Sequence, residues 1–157
     1  MNIAHFNYGI MIAPRDDPAV AGFVDHIDAV EAVAARTPGY VWNMVDDIVL
    51  AAAAADRKIT ERPGPIICSF SVWKTVEHFE HFLHKTLHGG FLRRRGEWFV
   101  EGQSEMVLWP VADGHIPDIE EAIDRLEQLR AEGPGQEVFT LDHVRAQRGW
   151  CDGHASG

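Results

Sequence analysis

The stretch from Ile66 to Trp73, IICSFSVW, constrains this chain more than any other. It is apolar at nearly every position, and a strand apolar on both faces belongs inside a sheet that is covered on both sides. TVEHFEHFLHKTLH follows at once, with Val76, Phe79, Phe82, Leu83 and Leu87 at helical spacing. A central strand feeding an amphipathic helix needs further strands beside it, and the rest of the chain supplies them.

Ile3 to Ala13 is rich in β-branched and aromatic residues and reads as the first strand. Asp17 and Pro18 suit an N-cap and a first helical position, and Val20, Phe23, Val24, Ile27 and Val30 continue at helical steps. Thr37-Pro38-Gly39 stops that helix, and Tyr40 to Val45 is a second strand. Asp46 to Pro65 reads as a loop with room for a short helix, because its alanines favour one. After the helix from Thr75 to His88, Gly89-Gly90 forms a break, and Phe91 to Phe99 resumes as a second helical piece. Met106 to Val111 is a fourth strand, placed at an edge by Pro110. Asp118 and Glu121 have capping-box spacing before a helix whose apolar face is Ile119, Ala122, Ile123, Leu126 and Leu129. Gln136 to Leu141 suits a short extended segment.

The order predicts an α+β, ferredoxin-like βαββαβ domain with an added C-terminal helix over residues 1–141, and a flexible polar tail over 142–157. Helices on one face of such a sheet leave the other face bare, yet these strands are too apolar to meet water there. A second copy would cover it, so the expectation is a homodimer forming a dimeric α/β barrel.

The formal net charge of −10 argues against nucleic acid or an anionic membrane surface as partner. The apolar run from Ile48 to Ala55 is far too short to span a bilayer. No basic region precedes the first apolar residues, so a signal peptide is not expected. Cys68 and Cys151 do not make a disulfide framework, which points to a reduced, cytoplasmic protein.

Four histidines ride on the helix after the central strand. His81, His84 and His88 lie within about 60° of one another on a helical wheel, and His78 lies about 60° beyond His81. Such spacing suits a metal, but this face lies opposite Val76, Leu83 and Leu87, where solvent normally is. A solvated face is the expectation for His78, His81 and His84, with a His81/His84/His88 metal site as the alternative. His88 ends the helix, where the negative end of the dipole favours an imidazolium and an acid or donor role. Tyr8, Trp42, Trp73, Trp98 and Trp109 are candidates for lining an apolar pocket crossed by Asn7 and His88, suited to a flat hydrophobic ligand. Arg94, between Leu92 and Trp98, is expected to point inward toward a carboxylate or ketone. His115 reads as a turn residue, His5 and His26 belong to no motif, and Cys68 is a thiol outside any CxxC. GxGxxG, HExxH and GxSxG are absent from the sequence, which removes the readings they carry.

The ordered motifs SVWKTVEHFEHFLHKTLHGGFLRRRGEWF and MVLWPVADGHIPDIEEAIDRLEQLRAEGP, with Asn7 and the Pro38-Gly39-Tyr40-Val41-Trp42 junction, resemble the family called domain of unknown function 3291. The resemblance runs from about Ile3 to Phe139. It implies the dimeric α/β-barrel superfamily of antibiotic-biosynthesis monooxygenase-like proteins. Two departures stand out: the polar turn usual after the second strand is replaced by VLAAAAADRKITERPG, and the tail after Phe139 has no counterpart.

The superfamily includes cofactor-independent oxygenases, isomerases, cyclases and haem proteins. The resemblance therefore implies a small-molecule enzyme needing no cofactor, acting on an aromatic or polyketide-like substrate. His88 would be its acid/base, with Asn7, Trp42 and Arg94 placing the substrate. The alternatives it implies are a haem protein with His88 on iron and a protein that binds a small molecule without changing it.

Overall fold

The computed structural model describes residues 1–14, 16–25, 27–44, 64, 66–88, 94–100 and 105–155, those at 27, 28, 86–88, 95 and 149–155 without their side chains. The expected loop from Asp46 to Pro65 (apart from Gly64), the Gly89-Gly90 break and residues 91–93 of the second helical piece lie outside the described residues.

Strands β1 (Asn2–Ile10), β2 (Tyr40–Asn43), β3 (Ile66–Trp73) and β4 (Glu105–Val111) form one antiparallel sheet in the order β2-β3-β1-β4. This is the ferredoxin-like arrangement expected from the sequence. The first helical region is divided: a 3₁₀ turn at Pro18–Val20, then α1 (Ala21–Val24) and α2 (Ile27–Arg36). Asp17 caps it as expected, its carboxylate accepting from the Ala19 amide at 2.8 Å. The remaining helices are α3 (Val76–His88), α4 (Arg95–Trp98), α5 (Ile119–Glu132) and α6 (Leu141–Ala155). The Thr75 hydroxyl caps α3 by accepting from the His78 amide at 3.2 Å, and Asp118 caps α5 through the Glu121 amide at 2.9 Å.

Period-two alternation divides the sheet into two dissimilar faces. On one face, Ala4, Phe6, Tyr8, Phe70, Val72, Val107 and Trp109 share a core with Ala122 and Leu126 of α5. On the other, Trp73 and Leu108 share a core with Ala34 of α2 and Phe79 of α3, bordered by Phe82, Leu83, Phe139 and Leu141. The face expected to wait for a second copy is therefore covered in part by the chain's own α5. Its end toward β2, at Trp42, Met44 and Cys68, is only half buried.

The segment before the tail extends as expected: Phe139 and Leu108 exchange backbone hydrogen bonds, each 2.9 Å. The tail expected to be loose is helical over Leu141–Ala155. Thr140 caps it through the His143 amide at 3.1 Å. Arg148 reaches Glu80 at 2.6 Å and Glu77 at 2.9 Å, and Arg145 lies 3.7 Å from Glu80. Two arginines three residues apart match two glutamates three residues apart on α3, and composition alone conceals that match.

Gly39, in the turn just before β2, has φ of 86°, and a Cβ there would overlap the His78 ring. Its carbonyl accepts from the Lys74 amide at 2.8 Å, which locks the junction to the start of α3. Gly39→Ala is expected to cost about 1–3 kcal/mol, read as a lowered midpoint in thermal unfolding, because strain and overlap act together.

Candidate functional site

Cross-strand register gathers polar residues on the face of the sheet beneath α2 and α3. His5 stands opposite Ser71, and Asn7 opposite Ser69. On the far side of β3, Asn43 is opposite Ser71. Near one end of this row the sheet is sealed: His5 and Ser71 are 3% and 5% exposed. Toward the other it opens through half-buried Asn7 to exposed Ser69.

At the sealed end three side chains are joined. The Trp73 indole N–H donates to Ser71 Oγ at 2.9 Å, and Ser71 Oγ lies 3.0 Å from His5 Nδ1. The Phe79 ring lies on His5 with centroids 4.4 Å apart, Phe82 stacks on Trp73 at 5.2 Å, and Tyr40 meets Trp73 edge-on at 5.7 Å. The strand residues on this face include no Asp, Glu, Lys or Arg: Ile3, His5, Asn7 and Gly9 of β1, Ile67, Ser69, Ser71 and Trp73 of β3, Met106, Leu108 and Pro110 of β4. The surface is aromatic at its sealed end and supplied with hydrogen-bonding groups, chemistry suited to a flat molecule bearing an oxygen.

The residues singled out in the sequence do not converge on one pocket. Asn7 and Trp73 belong to the face just described, whereas Tyr8, Trp42 and Trp109 belong to the opposite one. Trp109 is fully buried and donates to Glu121 of α5 at 2.9 Å, and His115 lies 2.8 Å from the same carboxylate. Trp42 meets Phe70 edge-on at 5.2 Å. Trp98 is buried in a separate cluster with Met11, Val20, Phe23 and Phe99. Arg94 does not point inward: it is exposed, bonded to Glu97 at 2.9 Å, with its guanidinium 5.0 Å from the Trp98 ring centre. A neighbouring carboxylate and an indole face satisfy it at the surface.

His81 and His84 are exposed on α3, and the side chain of His88 lies outside the described residues. Among the described residues no three His, Cys, Asp or Glu side chains are grouped to hold a metal ion. No helix among them is long and apolar enough to cross a membrane.

Sequence reasoning passed over His5, Ser69 and Ser71. A signal was present, since H-x-N in β1 and S-x-S in β3 interrupt apolar strands at alternate positions. Such interruptions face each other only when register permits, and a strand sequence does not state its register.

Tyr8 closes the opposite face. Its hydroxyl donates to Glu105 at 3.0 Å, and the Arg130 guanidinium binds the same carboxylate and also donates to the phenol oxygen at 3.4 Å. Burial, and then the hydrogen bond and charge of Glu105, hold the Tyr8 phenol above its ordinary value near 10. An unfolded chain releases that proton first, so stability is full below a pH of about 10 and declines as pH rises toward the folded value. Tyr8→Phe is expected to remove this part of the alkaline decline, measured as the slope of Tm against pH.

The family model described as Domain of unknown function (DUF3291) matches residues 2–153. No curated protein matches the chain. Among solved structures, the chain is similar to SnoaB, a cofactor-independent oxygenase from Streptomyces nogalater, with 18% identity and a TM-score of 0.44, covering 74% of this chain and 98% of that one. A mutant of the same oxygenase gives 19% identity and a TM-score of 0.43 over the same shares.

Proposed function

The chain belongs to the DUF3291 family, and from the site above we propose that it is a small-molecule enzyme acting without a cofactor on a hydrophobic, aromatic or polyketide-like substrate. The reaction class is oxygenation, or isomerisation or cyclisation, of an activated ring. One observation carries this reading: a row of His5, Asn7, Ser69 and Ser71 crosses one face of the sheet, with the Phe79 ring against His5 at its buried end and Ser69 exposed at the other. Such a surface binds a flat ring by burial and meets its oxygen with hydrogen bonds, and donors aimed at a developing enolate lower the barrier to proton loss. In the oxygenation, a ring methylene loses a proton, the carbanion passes electrons to dioxygen, and methylene plus dioxygen become carbonyl plus water. Asn7 orients the ring oxygen in this reading. His88, at the end of α3, is the acid/base.

The enzyme works as a homodimer in this proposal, the second copy covering the half-buried end of the α5 face near Trp42 and Met44. Light scattering that finds a monomer removes that part. Native mass spectrometry of protein purified from its own host is expected to find a bound polycyclic phenol or ketone. Turnover of that compound under labelled dioxygen distinguishes oxygenation, which incorporates label, from isomerisation, which does not. A tightly held anionic ligand, such as a nucleotide, would overturn the proposal.

A further inference from the structure

We propose that Ser69, Asn7 and Met106 form the floor of the ring site, and that this floor selects a fused-ring substrate carrying a hydroxyl beside a ketone. The inference rests on the reading of this face as a site for a flat hydrophobic molecule. It names the three side chains that orient the ring and narrows the substrate class.

The three residues lie in one row across the sheet. Asn7 of β1 stands opposite Ser69 of β3 on one side and opposite Met106 of β4 on the other. This row marks a seam between two separate apolar clusters. Met106 borders the cluster under α2 and α3, while Ile67, next along β3 on the same face, borders the cluster built around Met11, Phe23 and Trp98. The neighbouring row of His5, Ser71 and Leu108 is buried throughout. At the seam burial lessens: Asn7 and Met106 are half-buried and Ser69 is exposed. Among the described residues, neither the Asn7 amide nor the Ser69 hydroxyl has a side-chain hydrogen-bond partner. Covering them with hydrocarbon alone would leave both unmatched, so a ligand that seats here gains by bringing oxygens to them.

Polarity runs one way along the row, from hydroxyl to amide to thioether. Directly opposed residues on one face hold their Cβ atoms about 5 Å apart, so the Ser69 hydroxyl and the Asn7 amide reach two neighbouring oxygens of one ligand. Each of the two side chains offers a donor and an acceptor. A hydroxyl beside a ketone answers with one donor and two acceptors, and both its oxygens keep a lone pair for an outside donor even while the phenol hydrogen bridges them. Met106, on the far side of Asn7, is apolar and polarizable and suits an aromatic ring. Three adjacent strands span about 10 Å, the length of two or three fused rings, so an oxygenated edge at Ser69 and Asn7 leaves the unsubstituted end over Met106. The row contains no Lys or Arg and offers no cation to a phosphate or carboxylate.

Two isomeric acetylnaphthols test the selection. One carries its hydroxyl on the carbon next to the acetyl group and the other carries it on the distant ring, so the pair differ only in where the two oxygens lie. By equilibrium dialysis at neutral pH, the wild type is expected to bind the adjacent isomer about tenfold more tightly than the remote one. Ser69→Ala is expected to weaken the adjacent isomer by about fivefold and to leave the remote isomer within about twofold, which removes most of the preference. Ser69→Thr keeps the hydroxyl and suits a strand, so it is expected to retain the preference. Met106→Ala is expected to weaken both isomers alike, by about threefold, because it removes ring packing and touches neither oxygen. Equal affinities in the wild type, or an undiminished preference in Ser69→Ala, overturn the inference and leave the broader functional reading standing. Failure of the folded wild type to bind either isomer overturns the reading of the face as a ring site, and the selection falls with it.

Discussion

Trp109→Ala is expected to lower stability by about 3–5 kcal/mol, a large part of the roughly 5–15 kcal/mol that holds a domain of ordinary size. Trp109 is fully buried between β4 and α5, its ring 6.0 Å from Phe70. Its N–H is the hydrogen bond that ties β4 to Glu121, 12 residues on. Truncation removes the indole, opens a cavity in the core that Ala122 and Leu126 share with the sheet, and leaves the Glu121 carboxylate to water and His115. Trp109→Phe keeps most of the ring volume and loses the hydrogen bond, at an expected cost of about 1–2 kcal/mol. Urea unfolding monitored by far-ultraviolet dichroism separates the two, with a lowered midpoint at constant slope. An alanine variant that loses less than about 1 kcal/mol would mean that α5 is not clasped to the sheet in solution.

Phe79→Ala is expected to cost a similar amount, about 3–5 kcal/mol, and to affect the site as well. Phe79 is fully buried on α3, its ring tilted against His5 at 4.4 Å and 6.1 Å from Trp73. It presses the helix onto the sealed end of the polar row. Without it, the imidazole loses the ring that fixes its plane, and the cavity opens beside the hydrogen bonds of Ser71. Phe79→Leu is expected to cost less, about 1–2 kcal/mol, because a branched aliphatic side chain refills part of the volume. The alanine variant is therefore expected to weaken binding of a flat phenolic dye such as alizarin severalfold at temperatures where it is still folded, and the leucine variant to weaken it less. Equal binding by the alanine variant would place the ligand elsewhere on the molecule.

Much of the fold was legible because strand and helix periods are local properties. Ile66–Trp73 reads as an interior strand and is one, buried throughout from Phe70 to Trp73, and Asp17 and Asp118 read as helix caps and act as caps. The last helix, α6, was not legible. It is placed by Leu141 on the core beside α3 and by Arg145 and Arg148 meeting Glu77 and Glu80, a match about 70 positions away in sequence that composition reports only as polarity. The covering of the second sheet face by α5 was hidden for the same reason. An amphipathic helix announces that it has an apolar face and is silent about which surface receives it.

The candidate site divides along the same line. Asn7 and Trp73 were recognisable as residue types in strands, and both lie on the helix-covered face. Tyr8, Trp42 and Trp109 looked equally suited to a pocket, yet alternation along β1, β2 and β4 sends them to the other side. Arg94 looked poised between apolar neighbours and instead finds Glu97 and the outer face of Trp98.

By itself, then, the sequence determined that Ile66–Trp73 lies at the centre of a sheet and feeds an amphipathic helix, because apolar content and periodicity are written residue by residue. Tertiary structure alone decided that Ser71 of that strand stands opposite His5 and beneath Phe79. Strand register and helix docking are settled by which apolar surfaces fit together across the whole molecule, and no local stretch contains that information.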